Sequence, residues 1–138
     1  MLFLLDTDNF SLYLGGNLKV LGQVIRHPVA DLALSIISVE ELWSGWWTAT
    51  RQAKNAPHAA LAYNRLTEVV NELKNWPVVS FPEPAIRRYH TLKRQKLNVG
   101  GNDLKIAAIA LEASAIVVTR NVRDFGRVAG LTLEDWSQ

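Results

Sequence analysis

Four carboxylates in this chain follow or adjoin short apolar runs: Asp6, Glu41, Asp103 and Asp124. Asp6 closes the run Met1-Leu2-Phe3-Leu4-Leu5, and Glu41 lies just beyond the segment from Asp31 to Ile37. Asp103 follows Gly100-Gly101-Asn102, and Asp124 follows the run Ala115-Ile116-Val117-Val118 and the segment Thr119-Arg120-Asn121-Val122-Arg123. A carboxylate at the end of a buried strand is partly desolvated, which is costly unless it is hydrogen-bonded, paired or ion-bound. Asp6 has no cation near it in sequence, the first basic residue being Lys19. Four such acids brought together would repel, raising some of their pKa values. A divalent cation resolves that conflict, and oxygen donors in a chain without cysteine suit Mg²⁺ or Mn²⁺ rather than Zn²⁺. One or two ions held this way suit phosphodiester hydrolysis, activating a water and stabilising charge on the attacking and leaving oxygens. Thr7, Asp8, Asn102, Thr119 and Asn121 are polar neighbours placed to support the carboxylates from a second layer.

Three of the acids also have a structural role open to them. Ser38-Val39-Glu40-Glu41 has the spacing of a capping box, and Asn121 with Asp124 repeats that pattern. Asp103, near the start of a helix, would meet the helix's positive end without any ligand. On these grounds capping and ion binding both stand for Glu41, Asp103 and Asp124. Asp6 is the member least easily explained as a cap.

The elements that must position these residues alternate between strand and helix. Residues 2–5 read as a strand buried on both faces. Helices are expected over Thr7 to Leu14 and Leu18 to Arg26, the second ending before Pro28. Asp31 to Ile37 reads as a strand, followed by a helix from Val39 to Arg51 capped by Ser38. Pro57 fits the first position of a long helix whose core stripe is Ala59, Ala62, Leu66, Val69, Leu73 and Trp76. A strand over 78–81, a helix from Pro82 to Leu97, a helix from Asn102 to Ser114, a strand over 115–118, a short helix from Asn121 and an edge strand over 131–133 complete the order. Strands joined by helical crossovers favour a parallel sheet, with function at the carboxyl ends of its strands. Asp6, Glu41 and Asp124 follow three strands at that end, and helix packing must bring Asp103 to them.

The length of 138 residues, 49% of them apolar, fits one domain over 1–138. The absence of cysteine fits a reducing cytoplasm, and the apolar start is too short for a signal-peptide core or a membrane span. The net charge of +2 makes any nucleic-acid surface a matter of clustering. No Gly-x-Gly-x-x-Gly follows the first strand, which disfavours a nucleotide-cofactor enzyme. A receiver-type signalling domain would want adjacent acids after the first strand and an Asp after the third. Here Thr7 separates Asp6 from Asp8, and Phe81 leads into Pro82 and Glu83.

The blocks Leu5-Asp6-Thr7-Asp8, Ser38-Val39-Glu40-Glu41-Leu42-Trp43-Ser44-Gly45, Asn102-Asp103-Leu104-Lys105-Ile106-Ala107-Ala108 and Val118-Thr119-Arg120-Asn121-Val122-Arg123-Asp124-Phe125 resemble those of PIN-domain ribonucleases, in the family's order and spacing. The tail, Arg127-Val128-Ala129-Gly130-Leu131 to Glu134-Asp135-Trp136, is similar to that of the VapC toxins of VapBC toxin-antitoxin systems. The resemblance implies an α/β fold: a single PIN-like domain with a parallel sheet of about five strands in the order 3-2-1-4-5 and helices on both faces. It implies that Asp6, Glu41, Asp103 and Asp124 bind Mg²⁺ or Mn²⁺ and catalyse endonucleolytic RNA cleavage. Glu41 is chosen over Glu40 because it precedes Leu42 and stands four before Gly45, as in the family's Glu-Leu-x-x-Gly. The family often has Asn where this chain has Asp8, which leaves room for an extra carboxylate near the site. A VapB-type antitoxin and a homodimer are the partners implied. The alternative is a catalytically silent PIN-like module that binds RNA or a partner; such a module is expected to have lost one of the four acids, and none is missing.

Two further surfaces bear on partners. Between Pro84 and Asn102 there is no acid, while Arg87, Arg88, Lys93, Arg94 and Lys96 are basic on a helix whose Ile86, Tyr89 and Leu92 are expected to face the core. The run reads either as a solvated helix face or as a cationic surface for RNA phosphates. Trp43, Trp46 and Trp47 crowd one helix; at least one is expected in the core or a dimer contact and the others in a hydrophobic groove for an antitoxin segment.

Overall fold

The computed structural model describes residues 1–138. The chain runs β1 (Phe3–Leu5), α1 (Thr7–Leu14), α2 (Leu18–Arg26), β2 (Leu32–Ser35), α3 (Ile36–Gln52), α4 (Ala56–Leu73), β3 (Val78–Val79), α5 (Glu83–Arg94), α6 (Gly101–Ala113), β4 (Ile116–Val118), α7 (Val122–Phe125) and β5 (Thr132–Glu134). All strands are parallel, in the order β3-β2-β1-β4-β5. No helix is long and apolar enough to cross a membrane.

The apolar runs split between two cores by the alternation of strand side chains. Leu4, Ala33 and Val117 point to one face, where they meet Ala85 and Leu92 of α5, Ile106 and Ile109 of α6, and Phe125 of α7. Phe3, Leu5, Leu32, Leu34, Ile116 and Val118 point to the other, against Phe10 of α1, Val20 of α2, Leu42 of α3 and Val69 of α4. A strand covered on both sides reads as a continuous apolar run, which is why β1 and β4 were visible in the sequence.

Several boundaries differ from the sequence expectation. The second strand stops at Ser35, and α3 begins at Ile36 instead of Val39. Its N-cap is Ser35, whose hydroxyl accepts from the Ser38 N–H at 3.1 Å, so Ser38 is inside the first turn and the capping box with Glu41 does not form. Two β-branched isoleucines made the turn look like strand. Ile37 instead packs in the first core, and Ile36 is exposed. Pro57 occupies the second helical position behind the cap Asn55. The third strand spans only Val78–Val79, α5 ends at Arg94, and β5 lies one residue later than expected. On α5, Ala85, Tyr89 and Leu92 face the core, while Ile86 stays exposed.

Candidate active site

At the carboxyl edge of the sheet, Asp6 follows β1 and caps α1, so the acid that looked least like a cap in the sequence is the one of the four that is one, because α1 starts directly after the strand. Its backbone N–H extends the pairing with β4 by donating to the Val118 carbonyl at 3.0 Å. Its carboxylate accepts from the Asn9 N–H at 2.8 Å and from Asn9 Nδ2 at 3.4 Å. Asp6 is only 6% exposed. Burial pushes its pKa above the ordinary carboxylate value, against the opposing pull of hydrogen bonds from Thr119 and Asn9.

Asp103 is the hub of the acidic set. It sits half-buried in the first turn of α6, and its pKa is raised by burial first, then by the negative charges of Asp6, Glu41 and Asp124; hydrogen bonding from Asn121 partly offsets this. Carboxylates from the end of β1, from the second turn of α3 and from the first turns of α6 and α7 therefore share one electrostatic neighbourhood. With the capping box gone, Glu41 is free of the backbone. Its Oε1 accepts from the Thr7 hydroxyl at 2.6 Å, a link between α3 and α1.

Asp124 is not a helix cap either. Asn121 makes no side-chain cap to α7 and donates its Nδ2 to Asp124 Oδ2 at 3.0 Å. The other oxygen accepts from Arg127 at 3.0 Å, and the same guanidinium nitrogen donates to the Asn98 carbonyl at 2.7 Å. Arg127 thus ties α7 to the loop that delivers Asp103. Thr119, fully buried, accepts from the Asn121 N–H at 2.9 Å and fixes the turn out of β4. Asn102 is exposed beside Asp103 and makes no side-chain hydrogen bond.

Asp8 is paired away from the four, although its charge adds to the upward push on Asp6. Both of its oxygens are engaged by Arg120, Nε at 2.6 Å and Nη2 at 3.1 Å. Sequence reasoning missed three residues that hold this edge: Asn9, Arg127 and the Arg120 guanidinium as Asp8's partner. The first two carried a local signal, since Asn9 stands three after the cap Asp6 on α1 and Arg127 stands three after Asp124 in the turn that follows α7.

The donor set is all oxygen, and Arg127 on Asp124 is the one ion pair any of the four acids makes. The side chains do not already close as a cage of three or more ligands. They are an open group of repelling carboxylates, which fits a hard divalent ion that completes its shell with other oxygens.

The candidate RNA surface divides. Arg87 is paired with Glu83 at 2.6 Å and Arg88 with Glu112 at 2.7 Å. Lys93, Arg94 and Lys96 have no acidic partner, and Lys93 lies over the Tyr89 ring. The tryptophans divide too. Trp46 packs against the second core and lines a cleft of about 280 Å³ with Ser11, Leu14 and Val69. Trp43 and Trp47, 50% and 46% exposed, stack on each other at 6.3 Å on an outer face of α3, with Arg51 over Trp47. They do not form one groove with Trp46.

Residues 4–131 match the PIN domain family. The chain is 32% identical over 146 residues to Ribonuclease VapC1 of Haemophilus influenzae (strain R2866), covering all of both chains. Among solved structures it resembles VapBC-1 from nontypeable Haemophilus influenzae, at 27% identity and a TM-score of 0.76 over all of both chains. It also resembles DNA-bound VapBC from Salmonella typhimurium, at 24% identity and a TM-score of 0.79 over 99% of each.

Proposed function

Because the chain belongs to the PIN-domain family, in the branch of the VapC ribonucleases, we propose that it is a Mg²⁺- or Mn²⁺-dependent endoribonuclease acting as the toxin of a VapBC-type pair. The observation that carries this reading is Asp103, a half-buried acid under the combined charge of Asp6, Glu41 and Asp124. A divalent ion there would polarise the phosphate and lower the pKa of an attacking water. Asp6, Glu41, Asp103 and Asp124 would hold it. The chain's own residues do the rest: Asn9 and Thr119 fix Asp6, Thr7 fixes Glu41, and Asn121 with Arg127 fixes Asp124. Preset ligands lose little freedom when the substrate arrives.

RNA phosphates would approach over Lys93 and Arg94 at the end of α5 and Lys96 in the loop that leads to Asp103. A VapB-type antitoxin is the protein partner we infer, and the apolar cleft at Trp46 and the outer face with Trp43 and Trp47 are its candidate contacts, as they are for a homodimer. The test is cleavage of a mixed-sequence RNA by purified protein, wild type beside Asp6→Ala, in chelator and then with Mg²⁺ or Mn²⁺. Cleavage by the wild type alone, and only with metal, is expected. Equal cleavage by both proteins rejects the mechanism, and RNA binding without cleavage identifies the silent module instead.

A further inference from the structure

Asp8 and Arg120 are 112 residues apart in sequence, yet they form a two-point ion pair with Nε–Oδ2 at 2.6 Å and Nη2–Oδ1 at 3.1 Å. Each is about half exposed, so the pair adds little to stability through its charges alone. Its geometry does something else. Bidentate pairing fixes the plane of a guanidinium that would otherwise sample many rotamers. The third nitrogen, Nη1, makes no hydrogen bond, and half of the side chain's surface is exposed, with Asp135 the other acid near the guanidinium.

The place of this fixed fork follows from the sheet. Leu5 pairs with Val118, and the Asp6 N–H still bonds to the Val118 carbonyl. Arg120 leaves β4 two residues after Val118, next to Thr119, which supports Asp6. Asp8 is two residues beyond Asp6 on the first turn of α1. The pair therefore bridges the end of β1, where Asp6 sits, and the segment from β4 to α7 that carries Asp124. A group of carboxylates repels a polyanion, and a cation at its rim is what a phosphate next to the cleaved one would need.

We propose that Arg120 is a phosphate-binding residue of the nuclease site and that Asp8 is the positioning residue that aims it. This rests on the nuclease reading above and deepens it. Asp8 is then not an extra metal ligand, since both its oxygens are occupied. Arg120 takes a non-bridging oxygen of an RNA phosphate flanking the scissile one, through Nη1. Asp8 leaves the net charge of the pair at zero, so its value lies in orientation.

The two roles separate in measurement. Binding of a fluorescein-labelled single-stranded RNA of mixed sequence is followed in chelator as a function of salt, and cleavage of the same RNA is followed with Mn²⁺. Arg120→Ala is expected to weaken binding and flatten the slope of log K against log salt by about 0.7, the value for one phosphate contact on a single strand. Arg120→Lys should keep the slope but lose turnover, because an ammonium cannot hold both Asp8 and the phosphate in one plane. Asp8→Asn should bind RNA as tightly as the wild type or tighter, having lost a negative charge, yet cleave it about tenfold more slowly. A bond that served only the fold would not split binding from turnover in this way. An unchanged salt slope for Arg120→Ala, or equal losses of binding and turnover in Asp8→Asn together with a lower melting temperature, overturns the proposal. If the wild type itself fails to cleave while the slope of Arg120→Ala still falls, the nuclease reading fails and the phosphate contact stands.

Discussion

Asp103→Asn is expected to lose RNA cleavage by about 10³-fold and, in metal-free protein, to melt at a higher temperature than the wild type at neutral pH. The loss follows from removing the acid at the hub of the set: about 4 kcal/mol of transition-state charge stabilisation corresponds to roughly 10³ in rate. The gain follows from the same electrostatics. In the folded chain the Asp103 carboxyl is held above its ordinary value of 3.8 by burial and by three neighbouring acids. A group whose pKa is raised by folding binds its proton more tightly in the folded state. Its favourable contribution is complete below 3.8 and is lost as the pH rises through the raised value. At neutral pH the wild type carries this repulsion in full, and Asn does not. The difference in melting temperature should therefore be widest at neutral pH, shrink on acidification and vanish below the ordinary carboxylate value. Added Mn²⁺ should reverse the order by stabilising the wild type selectively. Thermal melts of both proteins from pH 3.5 to 8, with and without Mn²⁺, check this; a variant that is less stable than metal-free wild type at pH 7 would contradict the repulsive cluster.

Phe10→Ala is expected to cost about 3–5 kcal/mol, the range for truncating a fully buried aromatic ring. Phe10 is entirely buried, edge-on to Trp76 with ring centroids 5.1 Å apart and stacked on Tyr13 at 5.7 Å. Tyr13 and Trp76 are in turn fixed by one carboxylate, Glu72, at 2.7 and 3.1 Å. Burial and that same acid raise the Tyr13 pKa to about 12, so the phenol remains a donor at any pH the protein would meet. The ring anchors α1, the helix whose first turn carries Thr7, Asp8 and Asn9 and whose cap is Asp6. Urea denaturation gives the loss directly, with Phe10→Leu expected to cost less because most of the volume stays. A loss under about 1 kcal/mol for Phe10→Ala would mean that this cluster does not hold the helix.

What could be read in the sequence was what local chemistry determines. Residues 3–5 and 116–118 are covered on both faces, and only a continuous apolar run satisfies that. Asp6 at the end of such a run already posed the question of what compensates it. The failures come where two local rules compete. Ser35 and Ser38 are both good caps, and Ile36-Ile37 between them favours strand by side-chain type, so the helix start was placed three residues late. The difference matters because the capping role left open for Glu41 requires Ser38 as the N-cap, and Ser35 holds that place. Asn121 and Asp124 had cap spacing too, but the amide donates to the carboxylate and leaves the backbone alone.

Ion-pair partners distant in sequence were not legible. Nothing near Asp8 announces Arg120, and nothing near Arg88 announces Glu112. Of the five cations of the basic run, Arg88 is paired with that distant acid, while Arg87 is paired with Glu83 one turn before it, just outside the acid-free interval. That at least one of the three tryptophans belongs inside was expected from their crowding on one helix, but which one depends on the helical phase. The helical rotation between Trp46 and its neighbours sends it to the second core and leaves the other two outside.

The central claim is that Asp6, Glu41, Asp103 and Asp124 form one divalent-metal site. Titration of Mn²⁺ into the metal-free full-length chain, read by calorimetry for the wild type, Asp6→Asn and Asp103→Asn, tests it most directly. Saturable binding by the wild type, weakened at least tenfold in each variant, is the predicted result; Mn²⁺ binding of equal strength in all three proteins would contradict it.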